Sequence, residues 1–91
     1  GDIKIETILN NAATVTTDTT DNWADAETHT LEVRVSAAGV VTYLIDGSAP
    51  TTTAAYTFDD GEVIVPFIYF LNATDLAGAV VITEFECGFQ E

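Results

Sequence analysis

The sequence has very few basic side chains. Lys4 and Arg34 stand against 15 acidic residues among 91, which gives a net charge of −13 at pH 7. Two cations cannot form the basic patch that binds a phosphate backbone, so we predict no nucleic-acid partner. Docking on an anionic membrane is disfavoured for the same reason. We interpret the charge as a source of solubility, because repulsion between chains opposes edge-to-edge pairing of apolar strands.

Cysteine and long apolar runs are equally scarce. Cys87 is the single cysteine, so no internal disulfide can form. The longest apolar run, residues 63–71, is far shorter than the ~20 residues that a membrane-spanning helix needs. The first residues do not have the pattern of a signal peptide. We therefore expect a soluble chain with no membrane insertion.

The residues that are abundant favour β-structure. The chain is 47% hydrophobic and contains 15 threonines, and β-branched residues pack well on a pleated surface. No segment has a helical period. The length predicts one domain, residues 1–91, whose small core would gain from association or from further polypeptide.

Alternation of apolar and polar residues predicts the strands. The clearest case is HTLEVRVSAAGVVTYLIDG, where two alternating runs flank a turn that ends at Gly39 and a second turn follows at Asp46-Gly47. We also predict strands at residues 2–9, 63–71 and 79–89, a short strand at 14–17, and a loop across 18–27. Six or seven strands in all predict an all-β, antiparallel sandwich or jelly roll.

The same stretch resembles a known family. HTLEVRVSAAGVVTYLIDG is similar to the strand pair of laminin-G-like and other concanavalin-type lectin domains, in which the second strand ends in IDG. The later VPFIYF and FECGFQ segments follow in a similar order. The resemblance covers the C-terminal half of such a domain, so it implies a partial jelly roll, since sandwiches commonly reach ~200–250 residues.

These domains are widespread in virion proteins of tailed phages, and the Thr- and Ala-rich, Lys-poor composition resembles those of marine phages. The resemblance thus implies a virion or extracellular location. It also implies a non-enzymatic structural or adhesion module of a phage-like particle. The alternative is a free-standing carbohydrate-binding module whose site holds either a sugar alone or a sugar together with calcium.

Three groups of residues are candidate ligand sites. Trp23, with Asp21 and Asp25, could stack on and hydrogen-bond a sugar, although a lone tryptophan also commonly folds back onto the core. Asp59, Asp60 and Glu62 are candidate calcium ligands, and Asp18, Asp21 and Asp25 are a second such group. Calcium needs ~6–8 oxygens, and the spacing does not match an EF-hand loop. The alternative for these acids is a solvated turn.

No constellation of residues points to catalysis. His29 shares parity with the apolar residues of its strand, so we predict a histidine at the edge of the core. Cys87 lies between Phe85 and Phe89 on one parity, which predicts a buried, unreactive thiol. Glu84 and Glu86 share a face by alternation alone. We predict that the chain is not an enzyme.

The run at residues 63–71 predicts self-association. It is apolar on both parities, and Pro66 lacks the N–H of a central strand. One small sheet cannot cover both faces of such a run, so we predict a homo-oligomer or a virion-protein partner. One of the two faces of the run would form the apolar centre of the interface. These faces are Val63, Val65, Phe67 and Tyr69, or Ile64, Ile68 and Phe70.

Overall fold

The computed structural model describes residues 1–65 and 81–88. These residues form strands and no helix, which confirms the prediction of an all-β, antiparallel fold. Among them there is no helix that could cross a membrane. Four strands form two antiparallel two-stranded sheets, β1 with β2 and β3 with β4. The strands are β1 (Asp2–Thr7), β2 (Val15–Asn22), β3 (Leu31–Val35) and β4 (Val41–Ile45).

The β3–β4 hairpin has the predicted position and register. Leu31 pairs with Ile45 and Val35 with Val41, without a bulge between them. Directly opposed residues of an antiparallel pair share a face, so the hairpin has one apolar face and one mixed face. The apolar face consists of Leu31, Val33, Val35, Val41, Tyr43 and Ile45.

Both turns of this region depend on left-handed backbone. Gly39 has φ +83° and ends the first turn, whose Ser36 N–H donates to the carbonyl of Val40 at 2.9 Å. Asp46 and Gly47 have φ 51° and 82°, and Ile45 and Ser48 exchange both backbone hydrogen bonds around them. Positive φ at both central residues is the two-residue geometry that Asp-Gly favours. The predicted Asp46-Gly47 turn is confirmed.

The predicted loop at residues 18–27 is wrong in its first half, because β2 runs through to Asn22. Threonine is abundant there, and its branched side chain suits a strand. Thr19 is fully buried, and its hydroxyl donates to the carbonyl of Ile3 at 2.6 Å. That hydrogen bond satisfies the polar group, so a polar sequence forms a partly buried strand.

The segment that follows β4 joins the two sheets. The Thr52 N–H donates to the carbonyl of Thr19 at 3.0 Å, on β2. The Tyr56 hydroxyl donates to the carbonyl of Ile8, also at 3.0 Å. On the other side, the Val41 N–H donates to the carbonyl of Tyr56 at 2.9 Å. This segment therefore bonds to the outer edge of β4 at its first residue and connects it to the first sheet.

Two further strand predictions differ from the structure. Residues 63–65 and 81–88 are described but form no strand, and residues 66–71, which complete the first run, lie outside the described residues. The predicted buried thiol is wrong, because Cys87 is exposed. Alternation makes a strand only where another strand supplies hydrogen bonds, and neither described sheet pairs with these segments. Phe67, Tyr69 and Phe89 lie outside the described residues.

Candidate functional site

A cleft opens where the two sheets meet. Its volume is about 290 Å³, close to the lower end of small-molecule sites. Both sheets contribute to it, together with the loop before β3 and the turn after β4. The lining residues are Ile3, Asp21, Asn22, His29, Ile45, Asp46, Ser48 and Ala49.

His29 is held between two carboxylates. Its Nδ1 lies 2.6 Å from Oδ2 of Asp46, and its Nε2 lies 2.9 Å from Oε2 of Glu27. The side chain is 17% exposed. An imidazole can donate from both nitrogens only when it is protonated, so this geometry favours the imidazolium form. In this form the histidine links the loop before β3 to the turn after β4.

The pKa values of the three groups move in the directions that this ion triad requires. The pKa of His29 is raised, mainly by the hydrogen bond with Asp46 and then by the one with Glu27. The pKa of Asp46 is lowered by the Thr30 backbone N–H first and by His29 second. The pKa of Glu27 is lowered by His29 first and by the Ala24 N–H second.

Trp23 is part of the same cluster. Its ring meets the His29 ring edge to face, with centroids 4.9 Å apart, and its Nε1–H donates to the carbonyl of Glu27 at 3.1 Å. The side chain is half-buried. Its indole N–H and part of its ring surface are therefore used within the chain, and the tryptophan folds back against the loop that carries it.

Asp21 reaches the cleft from an irregularity in β2. Asp2 pairs with Asn22 while Lys4 pairs with Asp18, so β2 has extra residues at this point. Bulges of this kind redirect side chains. Thr51 donates to Asp21 from its hydroxyl at 2.7 Å and from its N–H at 2.9 Å. These two hydrogen bonds, the hydroxyl first, lower the pKa of Asp21.

Comparison with known proteins does not assign this arrangement to a family. The chain matches no family model, no curated protein and no solved structure. The resemblance to laminin-G-like domains stays a prediction.

The chemistry open to the cleft is recognition of neutral or cationic groups. Asp21 and Asp46 make it acidic, and the pKa of each is lowered, which favours the charged form. Asn22 and Ser48 add an amide and a hydroxyl. His29 is not placed to act as a general base, because each of its nitrogens already contacts a carboxylate.

The structure does not bring the three predicted sugar-binding residues together at one site. Of the three sugar-binding candidates, Asp21 lines the cleft, Trp23 packs beside it through His29, and Asp25 is exposed in the turn that follows β2. Only Asp21 is therefore placed to contact a molecule bound in the cleft directly.

The calcium candidates at residues 59–62 lie elsewhere. Asp59, Asp60 and Glu62 line a second cavity of about 340 Å³ beside the β3–β4 turn, and Asp59 accepts a hydrogen bond from the Asn10 amide at 2.8 Å. Among the residues that the structure describes, no three His, Cys, Asp or Glu side chains are grouped to hold a metal ion. Their placement thus adds no support to a calcium site.

The His29 triad was not predicted from the sequence, although a signal for it exists. In the register of the hairpin Leu31 faces Ile45, so the residues just before β3 lie beside those just after β4. Asp46 lies opposite Thr30 in this register, and its N–H donates to the Thr30 carbonyl at 2.8 Å. His29 is the residue before Thr30, so aligning the two alternating runs would have placed His29 one position from Asp46.

Proposed function

We propose that the chain is a non-enzymatic structural or adhesion module of a phage or phage-like particle, built on a partial jelly roll. The observation that carries this proposal is the apolar surface left open in the described residues. Ile5 and Val41 are the buried apolar residues there, whereas twelve large apolar side chains are exposed. Exposed apolar patches mark sites of protein association.

The β3–β4 hairpin concentrates part of this surface. Leu31 and Val33 are 55% and 64% exposed, although both belong to the apolar face of the hairpin. Each fully buried Leu or Val side chain contributes about 1.5–3 kcal/mol. Cover by another protein surface would therefore stabilise this small chain considerably, as expected for a module that works within an assembly.

The state of the titratable groups supports a non-enzymatic role. A histidine that acts as a general base needs one free nitrogen within reach of the proton it removes. Both nitrogens of His29 are bound to carboxylates instead. The triad thus resembles a structural ion pair that fixes a loop to a turn.

Thermal unfolding across a concentration series, combined with sedimentation, tests the proposal. A module stabilised by association should show a Tm that rises with protein concentration, together with a rising mean mass. A Tm independent of concentration, together with specific binding on a glycan array, would refute it.

The cleft favours a second candidate, the carbohydrate-binding module. Acidic, amide and hydroxyl groups beside the apolar Ile3 and Ile45 suit a sugar, which has both polar and apolar faces. A glycan array with and without calcium tests this role. For any sugar that binds, Asp21→Asn should weaken binding, and Asp25→Asn is the matched control because Asp25 does not line the cleft.

A further inference from the structure

Strand β3 is an edge strand within the described residues. The hydrogen bonds at its two ends show which of its residues bond to β4. The Thr30 carbonyl accepts from the Asp46 N–H, and the Ser36 N–H donates to the Val40 carbonyl. Since the hydrogen-bonding direction alternates along a strand, the backbone N–H and carbonyl groups of Glu32 and Arg34 also point towards β4. The N–H and carbonyl groups of Leu31, Val33 and Val35 point to the opposite, open side.

The side chains of the same residues make one face of β3 apolar. Leu31 and Val33 are among the exposed large hydrophobic residues, at 55% and 64%. A straight apolar edge is the feature that usually pairs with another strand. The other sheet-forming edge of this hairpin, on β4, is instead bonded to the segment at Tyr56.

The charges on β3 are complementary to a second copy of the same strand. Suppose that two β3 strands pair antiparallel about a two-fold axis at Val33. Leu31 then faces Val35 of the second copy, and Glu32 faces its Arg34. The reverse pair, Arg34 facing Glu32, follows by symmetry. Glu32 and Arg34 already form an ion pair on one face within the chain, at 2.9 Å, so two paired copies would bring two such pairs together as a group of four charges of alternating sign.

The hydrogen-bond pattern permits this same register. Val33 would pair with Val33 at a hydrogen-bonded position, because the backbone groups of both face outward. Glu32 and Arg34 would then occupy non-hydrogen-bonded positions, where opposed side chains approach most closely. A shift by one residue would place Val33 opposite a charged residue and turn the apolar faces to opposite sides.

We propose that β3 is a self-pairing edge, through which two copies form a continuous four-stranded sheet in the order β4–β3–β3–β4. This sheet would have one uninterrupted apolar face. The inference names a partner for the proposed structural role, and it rests on the edge geometry and on the charge pattern of β3. Arg34, one of two basic residues in a chain of net charge −13, acquires a role in selecting that partner.

The association is expected to be weak and to depend on salt. A five-residue strand pair buries less than the roughly 1,200 Å² of a stable interface. Two chains of charge −13 also repel each other, and salt screens that repulsion over distances beyond about 10 Å at 0.1 M. The experiment therefore uses seawater-like salt and protein concentrations from about 10 µM to about 1 mM.

Charge-reversal mixing tests the pairing most sharply. Arg34→Glu and Glu32→Arg each place like charges opposite one another in a homodimer, so each alone should associate at least about tenfold more weakly. An equimolar mixture restores both complementary pairs and should regain the wild-type dissociation constant. The mixed pair carries −15 and −11, which sums to the −26 of two wild-type copies, so overall charge does not favour it.

Two controls separate this edge from other surfaces. The mixture of Lys4→Glu with Glu6→Lys repeats the charge reversal on β1 and should show no gain on mixing. Val33→Lys places two cations on the two-fold axis and should abolish association. Its control is Val15→Lys on β2, which should leave association unchanged, because Val15 is 59% exposed and Val33 is 64% exposed. Circular dichroism confirms that each variant is folded.

The outcomes distinguish this inference from the proposed function. A mixture that stays as weak as its components, or a Val33→Lys variant that associates like wild type, would overturn edge pairing. Continued association of Val33→Lys would leave a structural module that uses another surface. Recovery in the mixture together with loss in Val33→Lys would support β3 as the interface, whatever the glycan array shows.

Discussion

Substitution of Gly39 by alanine should destabilise the chain more than the same substitution at Gly47. Both glycines have nearly the same positive φ, 83° and 82°, a conformation that costs an L-residue about 1–2 kcal/mol. They differ in their surroundings. A Cβ on Gly39 would lie 2.7 Å from the Phe58 carbonyl oxygen, whereas a Cβ on Gly47 would have nothing within 4 Å.

The difference between the two variants isolates the close contact. The Phe58 oxygen belongs to the backbone, and the Phe58 N–H is itself bonded to the Gly39 carbonyl at 2.9 Å, so relief requires a shift of paired chain segments. Overpacking of this kind costs about 1–3 kcal/mol. We expect losses of about 1–2 kcal/mol for Gly47→Ala and about 2–5 kcal/mol for Gly39→Ala.

Urea unfolding followed by circular dichroism measures both losses. A 91-residue domain has a total stability of about 5–14 kcal/mol, and each kcal/mol shifts Tm by about 4–8 °C at this size. Gly39→Ala therefore approaches the limit of foldability, whereas Gly47→Ala stays well folded. Equal losses for the two variants would refute the close approach between Gly39 and the 56–58 segment.

Three further changes have definite expected results. Thr19→Val should cost about 1–3 kcal/mol, because the Ile3 carbonyl loses its buried donor, while Thr16→Val on the exposed side of β2 should change stability by less than about 0.5 kcal/mol; equal effects would contradict the placement of Thr19. Because the folded-state pKa of His29 is raised, its contribution is complete below about pH 6.5 and is lost as pH rises through the raised value. The Tm of wild type should fall over this range more than that of His29→Gln, and parallel curves would argue against the triad. Tm should also rise from low to seawater-like salt, because screening relieves the repulsion of a −13 chain; a flat or falling Tm would contradict this.

Local patterns in the sequence were sufficient to predict the hairpin. Its strands alternate strictly, and Gly39 and Asp46-Gly47 mark turns whose backbone few other residues adopt. The extension of β2 was missed because Thr- and Asp-rich sequence is typical of loops. Only the tertiary contact between Thr19 and the Ile3 carbonyl makes a buried strand of it.

The candidate site was harder to predict because its members are distant in sequence. His29 and Asp46 are 17 residues apart. The hairpin register, which the sequence indicates, brings Asp46 opposite Thr30 and so next to His29. Asp21 and Thr51 are 30 residues apart, and they meet only because the segment after β4 crosses to the first sheet. No periodicity specifies that path. Trp23 and Asp21 were identified by residue type, whereas their hydrogen-bond partners depend on this crossing.

The central claim is a β-module whose strand β3 pairs with a second copy of itself. An isotope-filtered NOE experiment on a mixture of ¹³C-labelled and unlabelled protein tests it most directly, because it detects only contacts between chains. Non-hydrogen-bonded pairs bring Cα atoms to about 4.5 Å, so we predict an intermolecular NOE between the Hα atoms of Glu32 and Arg34. Its absence at concentrations where sedimentation detects a dimer, or intermolecular NOEs from a different strand, would contradict the account.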